Sequence, residues 1–328
     1  MTAFIVMKAP MVNSHFSQTN SPNTAPHDEI RRRLRIGLIA NRAHQDAANS
    51  ALVQLFTRAR LAIQALDIEW VVVGRTLDAI HSHGLQTICT PHTRFPYGRD
   101  GGLMKLVAHV VNRDPDNSVD AVIYLIDPVD HSSIFPEALA LKRQCVIHKK
   151  PYLSTLAGAC EWLELEATAV GAQHALPEDL GFDLGGESIA LIAHDALKQN
   201  MLQIAEKHFA LLDQFAHRYA TGTTGALLNQ LAQKIKGEAA GRAWVQPFLS
   251  GPMGGDAQIA ELVLEKKIRR ILFLEDPHVA RQHEADIQLL ERAARTVTDF
   301  ALVVSDADGS DRWLRLLTQR NASVQSVV

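Results

Sequence analysis

The chain has 328 residues, 47% of them hydrophobic and 21% charged, which is more than one domain usually takes and ample for two cores, so wholesale disorder is excluded. Lys and Arg number 33 against 36 Asp and Glu, a net charge of -3, so no basic field exists to draw in nucleic acid or an anionic membrane, and any anion site has to be local. Three widely spaced cysteines without a CxxC pair give no zinc or redox signal and fit a reducing cytoplasm, and the longest apolar runs, such as 68–73, fall far short of the ~20 residues of a membrane span.

Residues 1–34 carry Ser, Asn, Pro and Thr without an apolar period and read as a flexible tail; Lys8 and Pro10 interrupt Phe4–Met7, which argues against a secretory signal. Beyond the tail the chain repeats itself. Arg35–Asn41 aligns with Ser188–His194, Val73–Thr76 with Thr221–Thr224, Gly98–Gly102 with Gly251–Gly255, and Leu125–Pro128 with Leu274–Pro277, always about 150 residues apart and in the same order. This predicts a first domain over 35–166, a glycine- and proline-containing linker over 167–187 and a second domain over 188–328.

Within each copy, short apolar runs alternate with segments of helical period, the pattern of repeated βα units and hence of two tandem doubly wound, mostly parallel-sheet α/β domains. In the second copy strands are predicted near 189–193, 216–220, 245–249, 270–275 and 300–304. Helices are predicted over 197–212 and 256–266, where Ile259, Leu262 and Val263 fall on one buried face. Ligands of open α/β sheets sit outside the carboxyl ends of the strands, so the loops there are where chemistry is expected.

Those loops are well supplied in the second copy. The first strand runs into His194, with Lys198 one helical turn on. The second runs into Thr221-Gly222-Thr223-Thr224, where free backbone N–H groups and hydroxyls suit a phosphate and also suit an ordinary helix cap. The third runs into Ser250-Gly251-Pro252-Met253-Gly254-Gly255-Asp256, where a cluster of glycines permits close approach to a ligand and places a carboxylate at a helix start. The fourth ends at Asp276, with His283 and Asp286 shortly after. A phosphate cradle, a cation, a candidate base and a histidine on successive strand ends fit proton abstraction beside a carbonyl in a small phosphorylated substrate, with no metal and no cofactor. Neither GxGxxG nor GxxxxGK[ST] occurs, which disfavours a nicotinamide or ATP enzyme.

The segments Ile189–Asp195 with Lys198, Tyr219–Gly225, Leu249–Asp256 and Asp276-Pro277 resemble methylglyoxal synthase. The resemblance implies conversion of dihydroxyacetone phosphate to methylglyoxal and inorganic phosphate without a cofactor, by a doubly wound domain that assembles as a homohexamer. It implies Asp256 as the base, His283 as a proton shuttle on the substrate oxygens, and Asp276 and Asp286 as further acidic site residues. Lys198, Thr221, Gly222, Thr223, Thr224, Ser250 and Gly251 become the phosphate and substrate cradle, lined also by His194. The chain departs from the family at Ser305–Ser310, in a longer connection over Lys234–Arg242, and after Trp313. In the first copy Asn41, Arg42, Gln45 and Leu103 stand where the second has His194, Asp195, Lys198 and Asp256, and Val73 and Arg75 replace Thr221 and Thr223. The first copy is therefore expected to be a non-catalytic partner that replaces one subunit, three chains imitating a hexamer, with Arg75, Arg94 and Arg99 at a surface or interface; the alternative for these arginines is a different anionic ligand. The alternative reading is a regulatory protein of the same fold that binds a phosphorylated metabolite without converting it.

Overall fold

The computed structural model describes residues 32–172, 183–237, 243–278 and 284–325, apart from the side chains of 284–287 and 323–325. The first half runs β1 (Leu34–Ala40), α1 (Ala51–Arg58), α2 (Arg60–Leu66), β2 (Ile68–Val73), α3 (Gly74–Ser82), β3 (His92–Phe95), α4 (Gly102–Val111), β4 (Ala121–Leu125), α5 (Pro136–Ile147), β5 (Tyr152–Leu153) and α6 (Leu156–Ala169). The second half repeats it with β6 (Ser188–Ala193), α7 (Lys198–Lys207), α8 (Phe209–Leu212), β7 (His217–Ala220), α9 (Gly222–Lys236), β8 (Gln246–Pro247), α10 (Gly255–Leu264), β9 (Arg270–Leu274), α11 (Glu284–Thr296), β10 (Leu302–Val304) and α12 (Ala307–Gln325).

Two all-parallel five-stranded sheets result, ordered β3-β2-β1-β4-β5 and β10-β9-β6-β7-β8, the same winding in each half. Both are doubly wound α/β sheets, as the repeat and its βα alternation imply. The inner strands β4, β6 and β9 are buried along their whole length, as strands covered on both faces must be. In each half the chain order reverses between the first and fourth strands, so the C-terminal ends of β1/β4 and β6/β9 are the switch points where a crevice opens.

Two predicted elements differ. The helix expected over 197–212 is broken at His208 into α7 and α8, because the backbone turns there to pack Leu211 and Leu212 into the core. The strand expected over 245–249 pairs only through Gln246 and Pro247; proline has no N–H to donate to a ladder, and β8 is an edge strand.

Helix α6, at the predicted end of the first domain, serves both halves. Leu156, Ala159, Cys160, Leu163 and Ala167 belong to the core of the first half, whereas Leu165 belongs to that of the second. Glu161 on this helix is 1% exposed and receives a two-pronged hydrogen bond from Arg270 of β9, Nε and Nη2 both at 3.0 Å, and one from the Trp313 indole of α12, also 3.0 Å. Such a buried pair holds its geometry because either charge left alone there costs several kcal/mol, roughly 3–5 by the behaviour of broken buried pairs.

The halves also grip one another reciprocally. Arg143 Nε of α5 donates to the Pro277 carbonyl at 2.9 Å, and Arg292 Nη1 of α11 donates to the Pro128 carbonyl at 2.7 Å. Pro128 and Pro277 are the equivalent prolines of the repeat, so the contact is of the isologous kind seen across a twofold axis. Between the two grips Lys142 Nζ lies 2.7 Å from Glu275 and 2.5 Å from Glu291, all three largely buried.

Candidate active site

In the second half the polar loops gather at the C-terminal sheet edge. His194 leaves β6 directly beside the end of β9, with Ala193 paired to Leu274. Its Nδ1 accepts a hydrogen bond from the Asp276 backbone N–H at 2.9 Å. A ring nitrogen that accepts carries no proton, so the imidazole is neutral with its hydrogen on Nε2, and that N–H is the donor it can present. Phe273 packs edge-on against the same ring, centroids 4.9 Å apart. Asp276 itself closes an Asx turn, its Oδ1 accepting from the His278 N–H at 3.0 Å.

The first half repeats this joint with a different residue. Asn41 Oδ1 accepts from the Asp127 N–H at 3.0 Å, and Asn41 Nδ2 donates to the Ser132 hydroxyl at 3.1 Å. The carboxamide thus keeps the acceptor that joins the first strand to the fourth and loses the imidazole. The joint belongs to the fold; only the ring is special to the second half.

The glycine loop follows the same logic. Gly254 has φ 97°, where a side chain is strained, and a Cβ on Gly255 would collide with the Leu249 carbonyl oxygen. Gly101, at φ 87°, and Gly102, facing the Pro96 carbonyl, reproduce both constraints in the first half. The glycine cluster suggests ligand approach when read along the chain; the structure gives these two positions a purely backbone cause, since they persist where Leu103 replaces the carboxylate. Gln258, which carries no mark in the sequence, supports the turn from α10, its Oε1 accepting from the Leu249 N–H at 3.0 Å. A polar residue on the first turns of an amphipathic helix looks like solvent-facing surface, so nothing in the pattern singles it out.

This loop delivers Asp256 into the first turn of α10, where it is only 7% exposed. One carboxylate oxygen lies 2.9 Å from where a Cβ on Gly251 would sit, so Gly251 is the residue that lets the carboxylate close onto the loop. Gly222 performs a matching service from α9: a Cβ there would stand 3.0 Å from the Ser250 nitrogen, and its own N–H donates to the Leu249 carbonyl at 3.0 Å. Thr221, Gly222, Ser250, Gly251 and Asp256 are thereby brought together across the β7 and β8 ends, beside the β6–β9 joint that holds His194 and Asp276.

The threonines divide. Thr221 is buried at the N-cap of α9 without a side-chain cap bond, Thr224 is buried with a hydroxyl that has no hydrogen-bond partner among the described residues, and Thr223 is exposed. Lys198 is engaged by Asp195 at 2.5 Å, and the same ammonium holds the Asp195 carboxyl below the usual carboxylate range. Asp195 points into solvent, so a phosphate arriving at Lys198 competes with an exposed and replaceable partner. His283 and the side chain of Asp286 lie outside the described residues. Among the described residues no three His, Cys, Asp or Glu side chains gather as a metal site would need.

A doubly wound α/β protein with an imidazole at the switch point of its second sheet and a buried carboxylate on the loop that follows β8 is the class these residues define. No family profile matches the chain. Individual relatives do. The methylglyoxal synthase of Actinobacillus pleuropneumoniae serotype 3 is 40% identical over 124 residues, 38% of this chain and 74% of the relative. That of Thermus thermophilus is 43% identical over 106 residues, 32% of this chain and 76% of the relative. That of Allorhizobium ampelinum is 33% identical over 133 residues, 40% of this chain and 97% of the relative. Among solved structures, methylglyoxal synthase from Elizabethkingia anophelis matches at 30% identity and a TM-score of 0.31, over 39% of this chain and 76% of that one. The chain belongs to the methylglyoxal synthase family.

Proposed function

We propose that the second half is a lyase that converts dihydroxyacetone phosphate to methylglyoxal and inorganic phosphate, and that the first half is a non-catalytic copy standing in for a neighbouring subunit. The observation that carries the proposal is the buried Asp256 carboxylate, closed onto Gly251 at the mouth of a loop shared with Thr221, Gly222 and Ser250. A carboxylate is a weak base in water; one shielded beside a positioned substrate is a stronger one.

In the proposed reaction Asp256 removes a proton from the carbon bearing the hydroxyl, and electron density moves onto the carbonyl oxygen as an enediolate. The Nε2–H of His194, fixed by the Asp276 backbone, is a neutral donor suited to that oxygen. As the enediolate's remaining hydroxyl gives up its proton, its electrons form the aldehyde and a new carbon–carbon double bond while the C–O bond to phosphate breaks; the enol left behind takes up a proton from solvent at its methylene carbon to become methylglyoxal, and Asp256 returns its proton to solvent. Backbone N–H groups at the start of α9, the Thr221 and Thr224 hydroxyls and Lys198 receive the leaving phosphate. Asp276, His283 and Asp286 complete the proposed site as family counterparts.

The reciprocal Arg143–Pro277 and Arg292–Pro128 contacts support reading the chain as a covalent pair of family-like units, and three such chains would make six. The decisive measurement is production of methylglyoxal and phosphate from dihydroxyacetone phosphate. Asp256→Asn is expected to lose several orders of magnitude in turnover, because it removes the proton-abstracting group. Equal rates for wild type and variant would refute the assignment.

A further inference from the structure

Two adjoining cavities of about 540 and 710 Å³ open at the C-terminal sheet edge of the first half, and Arg42, Gln45, Arg75 and Arg99 line both. We propose that they form a second, non-catalytic site for a phosphorylated polyhydroxy metabolite. This goes beyond the reaction of the second half and does not depend on it.

Two of the three arginines have no ion-pair partner among the described residues; the third, Arg99, lies 3.7 Å from Asp100, and Asp46 and Asp78 also line the larger cavity. Neither Arg42 nor Arg75 makes an ion pair or a side-chain hydrogen bond among the described residues, whereas Arg94, which the sequence groups with Arg75, is engaged by Asp78 at 2.8 Å. Arg75 stands on the first turn of α3, a turn with no acidic residue and no side-chain cap. A cation at a helix N-terminus adds its charge to the positive end of the helix dipole, an arrangement that favours neither until an anion joins them. Guanidinium forks match phosphate oxygens two at a time, so two of them beside free first-turn N–H groups fit a phosphomonoester dianion.

A second feature points the same way. Gln45 is 2% exposed and lines both cavities; its Nε2 donates to the Ala40 carbonyl at 2.5 Å, and its Oε1 has no hydrogen-bond partner among the described residues. A buried amide oxygen without a donor costs free energy unless a ligand supplies one. The smaller cavity is also lined by Asp130 and Glu137, acceptors suited to hydroxyls and unsuited to a second phosphate. The lining therefore offers both cations and acceptors. Leu103 occupies the place that Asp256 holds in the other half and offers no base, so the ligand is bound and not converted.

The test is calorimetric titration of the full chain with glucose 6-phosphate, inorganic phosphate and citrate, in wild type and in the double variant Arg42→Ser/Arg75→Ser. Wild type is expected to bind glucose 6-phosphate at a site that the double variant weakens by at least roughly 30-fold, as the loss of two charged hydrogen-bonding groups entails. Methylglyoxal formation without the probe should be the same in both proteins, because neither arginine belongs to the second-half site; a matched melting temperature confirms the variant is folded. Binding of glucose 6-phosphate at least roughly tenfold tighter than inorganic phosphate or citrate supports the polyhydroxy class. Indistinguishable isotherms for wild type and double variant, or equal affinity for all three probes, would overturn the proposal. Since the readout is heat of binding, a failed lyase assignment would leave this result standing, and the reverse.

Discussion

At the scale of single residues, the most informative comparison lies inside the molecule. His194 and Asn41 do the same structural task, each accepting from the backbone N–H that follows the fourth strand. His194→Asn therefore should preserve the joint, with a melting temperature within about 2 °C of wild type, while turnover falls by roughly 10²–10⁴-fold because the oxygen-polarising N–H is gone. Wild-type turnover in that variant would remove His194 from the proposed mechanism. His194→Leu should in addition lose about 1–3 kcal/mol, since the Asp276 N–H would be left without its acceptor. The glycines carry a caution at the same scale: a residue kept in both copies, such as Gly102 and Gly255, reports on the backbone, whereas a residue present in one, such as Asp256, is not required by the shared backbone.

Among the elements, the loop that follows β9 is set from two directions. It carries Asp276 and Pro277, is tied to β6 by His194, and is held from the other half by Arg143 and Lys142. Arg143→Ala is expected to lower turnover by roughly tenfold, with KM little changed, because small displacements of a positioned group are costly in the transition state. Arg292→Ala breaks the mirror contact on Pro128, beside a sheet edge where no base stands, and turnover should stay at the wild-type level. Equal turnover in the two variants would mean that the first half does not position the site. Helix α6 is the other element with a double allegiance. Its sequence, Leu156–Ala169, carries Glu161, Glu164 and Glu166 among small and apolar residues, a pattern that gives it no clean amphipathic stripe. The structure explains the pattern, since the glutamates meet Arg270, Arg320 and Arg312 of the second half.

For the molecule as a whole, the seam between the halves carries buried charge whose state depends on pH. Glu164 is fully buried, and burial pushes its carboxyl from 4.5 up to about 8, with Arg320 at 3.9 Å only partly opposing and Glu161 reinforcing the rise. The folded protein thus binds a proton that the unfolded chain gives up at ordinary carboxylate pH. Its contribution to stability is complete below about 4.5 and is lost as the pH climbs to about 8. Denaturant melts of wild type and Glu164→Gln should diverge across that window, wild type losing up to about 1.4 kcal/mol per pH unit relative to the variant. Parallel curves would mean that Glu164 is already ionised in the native state.

How much of this is readable along the chain follows from where each property resides. The succession of strands and helices and the polar loops depend on local apolar periodicity and on turn residues at strand ends, so two copies of a doubly wound sheet, and polar loops at the strand ends of the second, are legible from one chain. The broken α7–α8 and the shortened β8 are not, because edge pairing and helix breaks are decided by neighbours distant in sequence. The same holds for the acceptor shared by His194 and Asn41, the reciprocal arginine grips, and the pairing of Glu161 with Arg270 across 109 residues. Hydrogen bonds and ion pairs are contacts of a few ångströms, and periodicity says which face is buried without saying what it is buried against. The order of secondary structure and the leucine that stands in the first copy where the second has Asp256 are written along the chain; the seam that joins the copies, and the gathering of Arg42 and Arg75 at the first-half cavity, came into being only when the chain folded.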